Sequence, residues 1–170
     1  MLINMYSLWV LGRTVEAGMG RAQYAMVYAL SLLGGSASVL WFDLGPGHFT
    51  AGASGAIFGV MGAELILLLK LRLNPTGLLV VIGANLVLSF TVSGISLFGH
   101  LGGLVVGLVL AAVMLYGPQL LPSASRTRMK ASAIGWVGAA AVAFVVCALI
   151  GVRFEELSGV TRILTTVPVG

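Results

Sequence analysis

Charge is what this chain lacks. Of 170 residues only 8% are Asp, Glu, Lys or Arg, about a third of the roughly 25% that a soluble domain carries. So little polar side chain cannot coat a water-facing surface, which excludes a soluble enzyme. Joined to 59% hydrophobic residues, the same scarcity excludes intrinsic disorder, which needs high charge and low hydrophobicity. Collagen is excluded as well, because the 24 glycines keep no three-residue period. Cysteine is nearly absent: Cys147 stands alone in an apolar run, so one chain can form neither a disulfide nor a CxxC metal site. Its expected role is packing. No basic segment and small-residue cleavage site frame the first apolar stretch, so a secretory signal peptide is not expected.

What is present is long apolar sequence punctuated by a few charges. None occurs from Ala22 to Phe42, from Leu44 to Ala63, from Leu73 to Ser125 or from Ala131 to Val152. A spanning helix needs roughly 20 mainly apolar residues, so the third gap holds two spans, divided near Ser93, Gly94 and Ser96, and the others one each. The expected fold class is therefore all-α, a polytopic membrane helical bundle, with helices over Arg21–Phe42, Gly52–Leu69, Gly77–Thr91, Gly99–Tyr116 and Ser132–Val152. Leu2–Leu11 is a sixth apolar segment of about half the length a span requires, and it reads as a helix whose beginning is missing.

The basic residues orient the bundle. With the first segment running inward, Arg13, Arg21, Lys70, Arg72, Arg126, Arg128 and Lys130 fall on one side, and only Arg153 and Arg162 on the other. The larger group marks the cytoplasmic face, which leaves the loop Asp43–Ala51 and the turn Ser93–Phe98 outside. The net charge of +4 is thus a topology signal, and the expected partner is the lipid bilayer. Nucleic acid is not expected, since it needs a contiguous basic face on a folded surface. By domain, residues 1–117 form a core, 118–131 a basic cytoplasmic loop, 132–152 an additional C-terminal helix and 153–170 a loose outer tail.

On this map Ser54 and His100 lie at the outer ends of two parallel helices, at similar depth. A serine hydroxyl becomes a competent nucleophile when a base takes its proton, and an imidazole at roughly 2.6 to 3.2 Å can do so. Small residues recur at every fourth position on both helices: Gly55, Gly59 and Ala63 on one, Gly99, Gly103, Gly107 and Ala111 on the other. Such ridges let membrane helices pack backbone to backbone. Phe58, one turn below Ser54, is placed to stack on the imidazole. The free N–H groups at the start of the Ser54 helix stabilise a developing oxyanion, while Gly52 and Gly55 admit a carbonyl carbon close to the backbone. Asn4, at the outer end of the first segment, adds a side-chain donor. The chemistry expected is acyl transfer from a peptide carbonyl, with no cofactor and no metal.

With these residues in place the sequence resembles the rhomboid family of intramembrane serine proteases. GASGAIFGVMGA, Gly52–Ala63, is similar to the family's nucleophile segment, and GHLGGLVVG, Gly99–Gly107, to its base-bearing helix. Asn4-Met5, Leu8-Trp9, Gly12, Glu16 and Gly20 resemble its second helix and the loop that follows. The resemblance implies a Ser54–His100 dyad cleaving transmembrane proteins near the outer face of the cell membrane, with an oxyanion site at Ser54 and Asn4. It also implies a first helix, a loop and an oxyanion-binding histidine ahead of Asn4. That histidine would fall one position before Met1, so the expectation is a chain missing its front end and of weak activity alone. His48, in the outer loop, is expected to be solvated rather than a substitute. The alternatives are a catalytically inactive rhomboid-like protein that binds transmembrane clients and, further off, a small transporter, which would call for more mid-membrane polar residues than Glu64 and Asn85.

Overall fold

In a computed structural model, which describes residues 2–43, 53–92, 94–120 and 128–166, the regular elements are all helical. They are α1 (Leu2–Met19), α2 (Arg21–Phe42), α3 (Ala53–Lys70), α4 (Thr76–Thr91), α5 (Leu97–Tyr116) and α6 (Arg128–Thr166), with one turn of 3₁₀ helix, Gly117–Leu120, after α5. Four of the described helices, α2, α3, α5 and α6, are long and apolar enough to cross a membrane. α4 is apolar but has 16 residues, roughly 24 Å at the α-helical rise. α1 carries Arg13 and Glu16 within its 18 residues. Six helices are thus present as expected, and four of them have full spanning length.

α3 is the centre of the bundle, with ten of its 18 residues buried, seven of them Gly or Ala or β-branched. Lipid tails are as apolar as leucine, so helix association in a membrane depends on close packing and interhelical hydrogen bonds. Glycine provides the close approach here. A Cβ on Gly103 would fall on the Gly55 carbonyl, and one on Gly107 on the Gly59 carbonyl. The two expected ridges therefore meet along their length. A third helix joins them: a Cβ on Gly35 of α2 would come within 2.7 Å of the Gly99 carbonyl, and one on Gly102 within 2.6 Å of the Gly34 carbonyl. Below this crossing Val15, Val27, Val60 and Leu110 are fully buried together in the main apolar cluster.

Three helices differ from the sequence expectation by more than one residue. α1 continues past Leu11 to Met19 because its second half is held against its neighbours: Val15 lies in the core, Gly12 packs on Tyr24 and Gly18 on Leu67. The Arg13 guanidinium lies 5.2 Å from the Trp9 ring centroid, where a cation–π contact compensates its charge. α5 begins at Leu97 instead of Gly99, since Ser96 caps it by accepting the Gly99 N–H at 3.1 Å. α6 begins at Arg128, inside the stretch 118–131 expected as a loop, and runs on to Thr166 where a loose tail was expected from Arg153. Arg153 Nε donates to the Leu40 carbonyl at 3.1 Å, the guanidinium lies over the Trp41 ring, and Nη1 pairs with Glu156 at 2.8 Å. Trp41 Nε1 donates in return to the Leu149 carbonyl. A cation is thus placed on a carbonyl of the last turn, at the negative end of α2, and α6 is held helical through the contact.

The ends of the bundle agree with the charge map. Asp43 after α2, Ser96 before α5 and Arg153 meet at one end, while Lys70 Nζ reaches the Leu115 carbonyl at the other. Arg72, which follows α3, takes φ 56°. The pair Arg72 N–H to Leu69 O and Leu73 N–H to Leu68 O is a Schellman closure, a position that usually holds glycine.

The crossing predicts a sharp contrast between glycines. Gly107→Val, which drives side-chain atoms into the Gly59 backbone, should destabilise the protein by about 3 kcal/mol or more, the upper range for overpacking. Gly83→Ala, on an open face of α4, should be neutral or stabilising by up to about 1 kcal/mol. Thermal unfolding in detergent micelles distinguishes them, and equal behaviour would refute the backbone crossing.

Candidate active site

Two helix N-termini and the glycine contact between them build the site. Ser54 lies in the first turn of α3 and is half-buried. The next residue, Gly55, packs on the Gly99 carbonyl, to which a Cβ would come within 3.0 Å, and Gly99 precedes His100. Ser54 and His100 thus flank one backbone contact. Gly103 secures the same approach one turn lower, against the Gly55 carbonyl. Among the described residues no hydrogen bond joins Ser54 to His100, and none joins Asn4, half-buried in α1, to either. Gly52 and His48 lie outside the described residues.

His100 is 7% exposed and held from two directions. The Phe58 ring, 3% exposed, stacks on the imidazole with centroids 4.1 Å apart and planes inclined by 16°. Ser89 Oγ lies 2.7 Å from Nδ1. With one ring face covered and Nδ1 engaged, rotation of the imidazole breaks either a stack or a hydrogen bond. Nε2 makes no hydrogen bond among the described residues.

Ser89 is the site residue that sequence reasoning missed. α4 is apolar along most of its length, and its buried residues are Ile82 and Ser89, seven apart and so on one face. A serine on the buried stripe of an otherwise lipid-facing helix was the available signal. Asn85, one turn before it, donates through Nδ2 to the Val81 carbonyl of its own helix at 2.8 Å.

The remaining polar groups stand away from this site. Glu16 pairs with Arg21 at 2.9 Å on the exposed turn between α1 and α2. Glu64 Oε2 is buried without a hydrogen-bond partner, and Lys70 takes the Leu115 carbonyl and the Tyr116 ring. Cys147 is exposed on α6, which corrects the expectation that it is packed. Among the described residues no three His, Cys, Asp or Glu side chains gather as a metal-holding group.

The start of α5 is itself anchored. Ser96 Oγ accepts the Gly99 N–H and donates to Asp43 Oδ2 at 2.7 Å. One hydroxyl thus caps the helix that carries His100 and ties it to the end of α2.

Comparison with known proteins supplies the context. The family model of the Rhomboid domain matches residues 1–117. The chain is 35% identical over 145 residues to Rhomboid protease GluP of Bacillus subtilis, a match covering 79% of this chain and 27% of that protein. It is 32% identical over 127 residues to RHOMBOID-like protein 6, mitochondrial, of Arabidopsis thaliana, covering 70% and 40%. With Rhomboid-type serine protease 2 of Emericella nidulans it shares 30% identity over 129 residues, covering 69% and 24%. The chain therefore spans less than half the length of these relatives. No solved structure matches it significantly.

Removing the cap tests how the site is positioned. Ser96→Ala should lower stability by about 1 kcal/mol, as for loss of an N-cap, with Ser96→Asn retaining part of it. A melting temperature unchanged in Ser96→Ala would show that the cap does not hold α5.

Proposed function

Because the chain belongs to the rhomboid family, we propose that it is an intramembrane serine endopeptidase that cleaves transmembrane proteins near the outer face of the cell membrane. Ser54 is the nucleophile and His100 the base. The observation that carries this reading is the packing of Gly55 on Gly99, which sets the N-terminal turn of α3 beside the buried, stacked imidazole.

The chemistry follows from these groups without a cofactor. His100 Nε2 takes the Ser54 hydroxyl proton as Oγ attacks the carbonyl carbon of the scissile peptide. The carbonyl oxygen becomes an oxyanion beside the free N–H groups opening α3, where the helix dipole is positive, and Asn4 contributes a further donor. The intermediate collapses as the C–N bond breaks and His100 returns the proton to the departing amine. Water, deprotonated by His100, then releases the acyl group from Ser54 and restores the dyad. An apolar pocket suits this base: Phe58 and the helix backbones orient the imidazole, a task that a carboxylate performs in other serine hydrolases.

Cleavage of a transmembrane model substrate in liposomes tests the reading. Ser54→Ala and His100→Ala should each reduce the rate by roughly four orders of magnitude or more, as for loss of a nucleophile or its base. A fluorophosphonate probe should label the unaltered protein and not Ser54→Ala. Turnover should also fall as the medium is acidified through the imidazole range, since only neutral imidazole accepts a proton. Cleavage persisting in Ser54→Ala refutes the nucleophile, and a binding role without hydrolysis follows if the unaltered protein captures substrates and leaves them intact.

A further inference from the structure

The hydrogen bonds around Ser89 determine where the imidazole proton sits. A serine hydroxyl has one proton to donate and two lone pairs to accept with. Ser89 Oγ lies 2.6 Å from the Asn85 carbonyl oxygen, which can only accept. The hydroxyl proton therefore goes there. The same Oγ lies 2.7 Å from His100 Nδ1, so in that contact it accepts, and the nitrogen must carry the hydrogen. Neutral imidazole has one N–H, which leaves Nε2 as the lone pair.

We infer that Ser89 is the positioning residue of the dyad: it holds His100 in the Nδ1–H tautomer through a relay from Nδ1–H to Ser89 Oγ and from Ser89 Oγ–H to the Asn85 carbonyl. The inference rests on the reading of His100 as general base. A base must present an unprotonated nitrogen to the serine hydroxyl, and a ring free to exchange tautomers does so only part of the time. Where a buried carboxylate accepts from Nδ1–H, it selects the tautomer and stabilises the imidazolium formed in the reaction. A neutral hydroxyl performs the first task fully and the second weakly. It also leaves no bare negative charge in an apolar environment, where a carboxylate is costly.

The relay depends on tertiary structure at one further point. Ser89 and His100 belong to different helices, and α4 buries little else than Ile82 beside Ser89. Asn85 keeps its side chain on the Val81 carbonyl, so its own carbonyl is the group that fixes the hydroxyl. Phe58 contributes the complementary restraint by holding the ring plane.

The tautomer can be read directly. The chain has two histidines, so a tag-free protein carrying His48→Gln and labelled with ¹⁵N-histidine reports His100 alone. In liposomes at neutral pH its spectrum should show protonated Nδ1 and unprotonated Nε2. Ser89→Ala should give a mixture of tautomers, and Ser89→Thr, which keeps the hydroxyl, should restore the single form. In the protein with His48 present, Ser89→Ala should lower kcat about tenfold, the equivalent of one net hydrogen bond, with KM within twofold. Ser89→Thr should recover most of that loss. A purely structural role would move the melting temperature and leave the tautomer unchanged. An Nε2–H tautomer in the unaltered protein, or a single Nδ1–H tautomer persisting in Ser89→Ala, overturns the inference. The spectrum is decided whether or not any substrate is cleaved. Failure of the relay with cleavage intact leaves the protease reading standing, and an inert protein with the relay intact removes the protease reading alone.

Discussion

The backbone contact between α3 and α5 is the constraint on which the rest of the structure depends. Ordinary helices meet through side chains, at axial separations of about 8–10 Å. Here Gly55 meets Gly99 and Gly103, and Gly59 meets Gly107, with no side chain between the two backbones. In a lipid environment such contact supplies the dispersion attraction that hydrophobic burial supplies in water. The same approach brings two helix N-termini together, each carrying one of the two residues proposed for the dyad. Packing and site share a single cause.

Other elements adjust around that crossing. α2 closes its third side through Gly34, Gly35 and Ser38, and the end of α2 becomes an anchor: Asp43 receives the Ser96 hydroxyl and Leu40 the Arg153 guanidinium. These contacts fix where α5 begins and keep α6 helical beyond its apolar stretch. α4 stands apart, with an apolar face turned outward and little buried besides Ile82 and Ser89. The imidazole is therefore held on one face by the most tightly packed helix and at one nitrogen by the least.

Much of this was legible in the sequence because membrane helices write their positions as gaps between charges. The boundaries of α2 and α4 fall within a residue of the expected ones, and the four-residue spacing of glycines identified the faces of α3 and α5 that meet. Phe58 was legible for the same reason, being one turn from Ser54 on a face already known to be buried. The misses are equally instructive. Arg153 looked like the start of a tail because a charge ends an apolar run, yet its guanidinium finds a carbonyl and an aromatic ring on another helix. Cys147 looked packed because the run is apolar, yet an apolar face turned to lipid is indistinguishable in composition from one turned to protein.

By itself, then, the sequence determined the class of molecule, the order and approximate extent of its helices, the end at which Ser54 and His100 both lie, and the resemblance that led to the family. Tertiary structure alone decided that α2 completes the crossing, that α6 continues past Arg153, and that Ser89 meets Nδ1 of His100. The division has a physical origin. Helical periodicity is a property of one segment, and it records which face is small or apolar. A hydrogen bond between two helices depends on their relative rotation and axial offset, to within about an ångström, and neither segment encodes that alone.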